Sequence, residues 1–378
     1  MKYCKICLQT DTRPGISFRK DGICSACDYR SKEFQEIDWL ERQKQLKAIV
    51  DWAKETSKGG YDCVIGVSGG KDSTFQAFYA KEQLGLNVLL VNVAPDNLTD
   101  VGRQNLENLV QKGFDLVSFR PNPVVMKKLT RQSFLKYGNP VKPSEYPLFA
   151  VPYQTAMMYK APLIIWGENV AITLGVTKLG ISGDALNVLG HNTLEGIESK
   201  DYWLHDDLVL TDLLPYKFPE VHALRKNHKA IYLNYYAREW GWKNNTDFSV
   251  SKGLKGREDR PELTGRINPY NSVDGDIQIV NQMIKYYKLG FGFVTDEVCY
   301  YIREGVMSRN EAIDLVEKHD GKCGELFIEE FCKYIDITVD EFWSHMDKHV
   351  NKKLFYKNAF GKWIPKFKVG DDFEERED

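Results

Sequence analysis

A short apolar run at residues 61–67 leads straight into Ser68-Gly69-Gly70-Lys71-Asp72-Ser73, and a helical pattern follows. A strand that turns through two glycines into a helix, with more short apolar strands behind it, predicts crossover connections and a parallel sheet with helices on both faces. Strand candidates are residues 61–67, 87–93, 114–119 and 162–166, with helical stretches at 73–84, 100–112 and 124–137. Ligands of such sheets bind beyond the carboxyl ends of the strands. Chemistry is therefore expected after Val67, Val93, Phe119 and Trp166.

Eight cysteines are unevenly placed. Cys4 and Cys7, then Cys24 and Cys27, form two CxxC pairs, while Cys63, Cys299, Cys323 and Cys332 are scattered. Four thiolates at this spacing match a structural, tetrahedral zinc site that gives a short segment its folding energy. An iron–sulfur cluster and a pair of disulfides are the other readings of the same spacing. The N-terminus has no apolar signal core and no run approaches the roughly 18 apolar residues of a membrane span, so cytoplasm is the expected location. Lys and Arg number 51 against 53 Asp and Glu, a net charge of -2, which disfavours a chain that works by gripping nucleic acid or an anionic membrane.

Beyond the sheet, residues 251–265 are rich in glycine and charge and read as a mobile loop. Purely helical patterns then follow at 276–289 and 296–303. Two more helices are opened by capping boxes, Ser308 with Glu311 and Thr338 with Glu341. The predicted organisation is a zinc knuckle (1–32), a helical linker (33–58) that begins its apolar periodicity at Phe34, an α/β nucleotide domain (59–250), a mobile charged loop (251–272), a helical C-terminal domain (273–350) and a charged, solvated tail (351–378).

The glycines of the 68–73 loop allow successive N–H groups to approach an anion, and the helix N-terminus adds its dipole. The loop lacks the spacing of a Walker A motif, and Asp72 beside phosphates requires an intervening Mg²⁺. A magnesium-bound polyphosphate is expected here.

Ser68 through Ser73 match in full the SGGxDS signature of the PP-loop ATP pyrophosphatases, and the chain resembles that family. The resemblance implies a parallel sheet of PP-loop (adenine nucleotide alpha hydrolase-like) type and ATP held by Ser68, Gly69, Gly70, Lys71, Asp72 and Ser73. It also implies adenosine along the end of the next strand at Asn92 and Val93, and a substrate oxygen attacking the α-phosphate. A tRNA thiolase of this superfamily is the rival reading. Sulfur transfer needs a thiolate near the nucleotide, however, and no cysteine occurs between Cys63 and Cys299.

A closer resemblance, to the N-acetyl sugar amidotransferases of pseudaminic acid and diacetamido uronic acid type, covers nearly the whole chain. It rests on the knuckle, SGGKDS, Ile164-Ile165-Trp166-Gly167-Glu168-Asn169, Tyr286-Tyr287-Lys288-Leu289-Gly290, Ile302-Arg303-Glu304-Gly305, and the stretch from Ser308 to Val316 with Asp320-Gly321. It implies adenylation of an acetamido oxygen of an acidic or nucleotide-linked sugar, and displacement of AMP by ammonia to give an acetamidino sugar for surface polysaccharide (O-antigen) or flagellar glycan. Lys71, Asp72, Glu168 and Asn169 are the catalytic candidates, and Gly167 joins the nucleotide set.

Lys252, Lys255, Arg257, Arg260 and Arg266 are candidates to close over an anionic substrate. Asp184 and His191, and Asp274 and Asp276, are candidates to line its pocket. The chain shows no glutaminase nucleophile, so ammonia is expected from a separate glutaminase, as in the glutaminase and synthase pair of histidine biosynthesis.

Overall fold

The computed structural model describes residues 1–33, 35–190 and 207–374; Phe34 and His191, both singled out above, lie outside them. Five parallel strands form one sheet: β1 (Cys63–Gly66), β2 (Val88–Val93), β3 (Asp115–Phe119), β4 (Leu163–Trp166) and β5 (Lys229–Tyr232), in the order β3-β2-β1-β4-β5. The first four follow the apolar runs. The fifth, Lys-Ala-Ile-Tyr, is too short and too close to charge to announce itself in sequence.

Alternation along the strands splits the core in two. Val64, Leu89, Val91 and Ile164 face one side, packed under α5 (Pro123–Tyr137) and α6 (Lys142–Tyr159). Cys63, Ile65, Leu90 and Ile165 face the other, under α2 (Trp39–Ser57) and α3 (Lys71–Phe78). Each fully buried Leu or Ile is worth roughly 1.5–3 kcal/mol, so the sheet's centre is its most firmly fixed part. At the edge, α4 (Asp100–Gln111) bridges β2 and β3, with Thr99 capping its N-terminus.

α6 is absent from the sequence reading because it carries Pro143, Pro147 and Pro152, residues that read as helix breakers. Pro143 sits in the first turn, where no intrahelical N–H is needed, and the helix is held between strands and solvent despite the other two. A further helix, α7 (Trp242–Ser251), occupies what reads as the end of the sheet domain.

The C-terminal region is helical, with α8 (Ile277–Leu289), α9 (Phe293–Arg303), α10 (Arg309–His319), α11 (Glu325–Tyr334) and α12 (Val339–His349). Both capping boxes form, at Ser308–Glu311 and Thr338–Glu341. A helix without such a box, α11, lies between them. The bundle is keyed to the sheet domain by Phe134 of α5, stacked on Phe342 at 5.0 Å and edge-on to Phe331 at 5.3 Å.

Two expectations fail here. The 251–272 segment is packed rather than mobile: Lys252 pairs with Glu82 at 2.7 Å, Arg257 with Asp276 at 2.7 Å, and Arg266 is buried with Nη1 donating to the carbonyls of Asn271 and Ser272, both at 3.0 Å. The helical linker is in place as α2, and α1 (Ser25–Glu33) belongs to the knuckle and ends one residue past its expected boundary. The tail is not solvated throughout. Residues 355–357 and 363–365 form a hairpin over buried Leu354, Phe355 and Phe367, and Phe373 exchanges backbone hydrogen bonds with Met1 at 2.6 and 2.8 Å.

Among the described residues no helix is long and apolar enough to cross a membrane.

Glu297 of α9 ties the 266–271 turn to the bundle, accepting from the N–H of Ile267 at 2.6 Å and of Asn268 at 3.2 Å and from Asn271 Nδ2 at 3.1 Å. Burial outweighs these donors and pushes its carboxyl up from the ordinary 4.5 to about 7. The native state then holds the proton more tightly than the unfolded chain. Stability should fall by about 3 kcal/mol as pH rises through that interval and level off above it, with the similarly raised Glu145 adding in the same direction. Urea midpoints measured from pH 4.5 to 8 should show a shallower decline for Glu297→Gln; a curve of unchanged slope would remove Glu297 from this account.

Candidate functional site

β1 touches β2 on one side and β4 on the other, so the chain leaves the sheet in opposite directions at their ends. That is the topological switch point, where open parallel sheets leave a crevice. The 68–73 loop follows β1 and Gly167-Glu168-Asn169 follows β4. Sequence separation of about a hundred residues is thus closed by one strand pairing.

Gly69 adopts φ +82°, and a Cβ there would lie 3.0 Å from the Gly102 carbonyl. Asn105 of α4 locks the turn: its Nδ2 donates to the carbonyls of Gly69 and Lys255, both at 2.9 Å. Gly70 caps α3 without a side chain, which leaves the helix's first amides to bond an incoming anion. Ser73 Oγ stays within the loop, 3.2 Å from the Gly70 carbonyl.

Lys71 is only 1 % exposed, and its charge is met on two sides. Nζ lies 2.7 Å from both Asp72 oxygens and 3.5 Å from the Trp242 ring centroid. From α7, Asn245 donates to Asp72 at 2.7 Å and Ser249 to the Lys71 carbonyl at 2.7 Å. Glu304, just after α9, accepts from the N–H groups of Trp242 and Lys243 and so caps α7.

Across the crevice, Gly167 permits the close approach of two side chains: a Cβ would lie 2.4 Å from both Gln76 Nε2 and Trp240 Cη2. Glu168 accepts from Tyr300 of α9, and Tyr300 in turn stacks on Trp242 at 4.2 Å and 12°. Burial pushes the Glu168 carboxyl up, against the hydrogen bonds from Thr173 and Tyr300.

The resulting cleft has two lobes. The larger, about 210 Å³, runs from Ser68 and Ser73 to Trp166 and Tyr232; the smaller, about 60 Å³, is walled by Tyr29 and Arg30 of the knuckle and by Tyr300 and Arg303. Asp72, Glu168 and Trp240 line both. A third cavity of about 60 Å³ opens at the end of β2, with Val93, Glu145 and Asp274 in its wall. Asn92 lies beside the loop and donates to the Val67 carbonyl at 2.8 Å.

Several candidates fall elsewhere. Asn169 is fully buried and spent on the backbone: Oδ1 accepts from Ala171 N at 2.9 Å, and Nδ2 donates to the carbonyls of Gly180 and Ser182 at 3.0 and 2.9 Å. It shapes the turn that presents Glu168 and does not face the cleft itself. Asp184 pairs with Arg225 at 2.9 Å, away from both lobes. Lys255, Arg257 and Asp276 line an open groove beside α4, not the cleft, and Arg266 is pinned under residues 271–272. Trp240, Trp242, Asn245 and Tyr300 are the residues that sequence reading missed. Arg303 and Glu304 stood in the Ile302–Gly305 stretch that carried the resemblance, with no role attached.

At the N-terminus the sulfurs of Cys4, Cys7, Cys24 and Cys27 all lie within 4.8 Å of one another, and all four residues are buried. Cys7 and Cys24 are 3.8 Å apart, the edge of a tetrahedron with metal–sulfur bonds of about 2.3 Å. Backbone N–H groups of Gln9 and Cys24 point at Cys7 Sγ (3.4 Å) and Cys4 Sγ (3.3 Å), which suits thiolates. The donor set fits zinc.

Residues 264–368 match the family model described as "LPS biosynthesis protein WbpG-like, C-terminal domain". No curated protein matches the chain. Among solved structures, the chain is similar to the NH3-dependent NAD synthetase of Campylobacter jejuni in complex with nitrate (18 % identity, TM-score 0.28), covering 37 % of this chain and 61 % of that one. It is similar also to the NMN synthetase of Francisella tularensis (18 %, TM-score 0.28, 60 % of this chain and 100 % of that) and to the NAD+ synthetase of Burkholderia pseudomallei (14 %, TM-score 0.29, 60 % and 94 %). These structural likenesses are too distant to bear on the site.

Asn169→Ala removes three hydrogen bonds from a buried turn and should cost about 2–4 kcal/mol in urea unfolding, whereas Glu168→Gln should cost less than about 1 kcal/mol. An Asn169→Ala protein with an unmoved midpoint would end the scaffold assignment.

Proposed function

We propose that the chain is an ATP-dependent amidotransferase of lipopolysaccharide or related surface-glycan synthesis, converting the acetamido group of an acidic, N-acetylated sugar to an acetamidine. The observation that carries this reading is the joint between its two parts. The segment that matches the lipopolysaccharide family, through Tyr300 and Glu304, holds Glu168 and the helix that clamps the SGGKDS loop.

An amide oxygen is a poor leaving group because the nitrogen lone pair is delocalised into the carbonyl. Attack of that oxygen on the α-phosphorus of ATP breaks the Pα–O bond to pyrophosphate and leaves an O-adenylyl imidate. Ammonia then adds to the imidate carbon, the C–O bond breaks, AMP departs with the former amide oxygen, and the amidine remains. The free amides at the start of α3 and the Lys71 ammonium stabilise the departing pyrophosphate. Asp72 would hold Mg²⁺, whose part is to neutralise phosphate charge. The nucleoside is assigned to the end of β2, beside Val93.

Glu168, at the junction of the lobes, takes a proton from ammonium or from the tetrahedral adduct. Burial raises its pKa, which brings it nearer to working pH as a base, and Tyr300 orients it.

The rival reading, thiolation of tRNA, lacks its sulfur relay. All eight cysteines are described, and none lines either lobe. Burial pushes the thiols of Cys63, Cys323 and Cys332 up, the last two to about 12 and 11, so they stay protonated and unreactive. Ammonia is assigned to a separate glutaminase, since Cys4 and Cys7 belong to the knuckle and no other cysteine meets the cleft.

Incubated with Mg-ATP, ammonium and a panel of N-acetylated acidic sugars, the protein should form AMP in step with a product in which NH replaces O. With the acetamido oxygen labelled as ¹⁸O, the label should appear in AMP and not in pyrophosphate. Label in neither, or sulfur incorporated into tRNA, would overturn the reading. Lys71→Ala and Asp72→Ala should abolish AMP formation, and Glu168→Gln should lower amidine turnover roughly 10²–10⁴-fold.

A further inference from the structure

Arg303, the last residue of α9, touches three things at once. Its Nη1 lies 3.8 Å from Cys7 Sγ, its Nη2 donates to the Thr173 carbonyl at 2.8 Å, and its guanidinium lies 4.9 Å from the Tyr300 ring centroid. Thr173 ends the turn that begins at Asn169, and Tyr300 holds Glu168. On the knuckle side, Arg30 Nε donates to the Arg303 carbonyl at 3.2 Å. One side chain therefore joins the four-cysteine cluster to both supports of Glu168.

A divalent ion in four thiolates leaves the centre with an excess of negative charge, and a planar guanidinium relieves it through N–H···S contact while its other arm serves the Thr173 carbonyl. Partners of this kind around a metal's ligands change metal affinity by roughly 10- to 100-fold. We propose that Arg303 is a positioning residue through which the metal centre sets the geometry of the Glu168–Tyr300 pair, so that metal binding at the N-terminus and ligand binding in the cleft are energetically coupled. The knuckle is then part of the working site and more than a folding staple. The second half of this statement rests on the cleft taking Mg-ATP; the first half does not.

The test uses the full-length zinc protein, wild type and Arg303→Met, Arg303→Lys and Tyr300→Phe, in chelator competition for zinc with and without a non-hydrolysable Mg-ATP analogue. Arg303→Met should bind zinc roughly 10- to 100-fold more weakly, with Arg303→Lys between it and wild type. In wild type the analogue should raise zinc affinity, and zinc should raise analogue affinity by the same factor, as linkage requires. Arg303→Met should lose that factor. Tyr300→Phe should lose it while keeping wild-type zinc affinity, a split that general destabilisation does not produce.

As a second readout, the ¹⁹F resonance of 5-fluorotryptophan at Trp242, assigned by its loss in Trp242→Phe, should move on zinc removal in wild type and stay still in Arg303→Met. Wild-type zinc affinity in Arg303→Met, or a Trp242 resonance that responds to zinc equally in both, overturns the proposal. If the analogue fails to bind the wild-type zinc protein, the nucleotide reading falls, and the zinc affinities with the Trp242 signal still decide the role of Arg303.

Discussion

Lys71 carries a full charge at 1 % exposure, and most of the molecule's architecture can be read as the answer to that fact. A buried ammonium costs several kcal/mol unless it is paired and hydrogen-bonded. Asp72 supplies the pairing locally, but a carboxylate must itself be held, and the sheet domain's own loop offers nothing for it. Asn245 and the Trp242 ring, both on α7, complete the arrangement. α7 in turn has its first amides capped by Glu304 from the C-terminal bundle. The SGGKDS loop and the bundle are thus joined through α7: its Asn245 and Trp242 hold the loop's charged pair, and Glu304 of the bundle caps its first amides.

What could be read from sequence follows the range of the forces concerned. SGGKDS was legible because its chemistry is local, resting on two glycines, a helix start and a strand end within a few residues. β1 to β4 were legible because apolar runs leave little choice of environment. β5 and α6 were not. The first is four residues long with lysine at its start, and the second contains prolines whose cost is met by packing that no local rule sees. The charged 251–272 segment was misread for a related reason. Charge density predicts solvation on average, yet here Arg266 is buried and the side chain of Arg257 is largely covered, held by backbone carbonyls and by Asp276 respectively. The tail was misread likewise: its lysines are conspicuous, but Phe355 and Phe367 decide where it lies.

The site divides the same way. Glu168 stands in the cleft where a residue after β4 should stand, while its neighbour Asn169 faces the other way and bonds three backbone groups. Adjacent residues after a strand cannot both face a crevice unless the turn is distorted, so one cleft-facing residue and one scaffold residue is the expected outcome. Asparagine, with a donor and an acceptor on one short side chain, suits the scaffold role. Tyr300 could not have been found from the loop outwards, since its partner is 132 residues away.

The cysteines bear on mechanism in two opposite ways. Cys63 lies in β1, near the SGGKDS loop in sequence but sealed in the sheet, where burial pushes its thiol pKa up. The four knuckle cysteines are far from the loop in sequence yet connect to the cleft within two side chains, Arg303 and Tyr300. Sequence distance therefore misleads in both directions. A thiol chemistry at the loop would require the buried one to emerge, at the cost of opening the sheet's central strand. The distant four already reach the supports of Glu168 through existing contacts, because the guanidinium of Arg303 rests against both the cluster and the tyrosine.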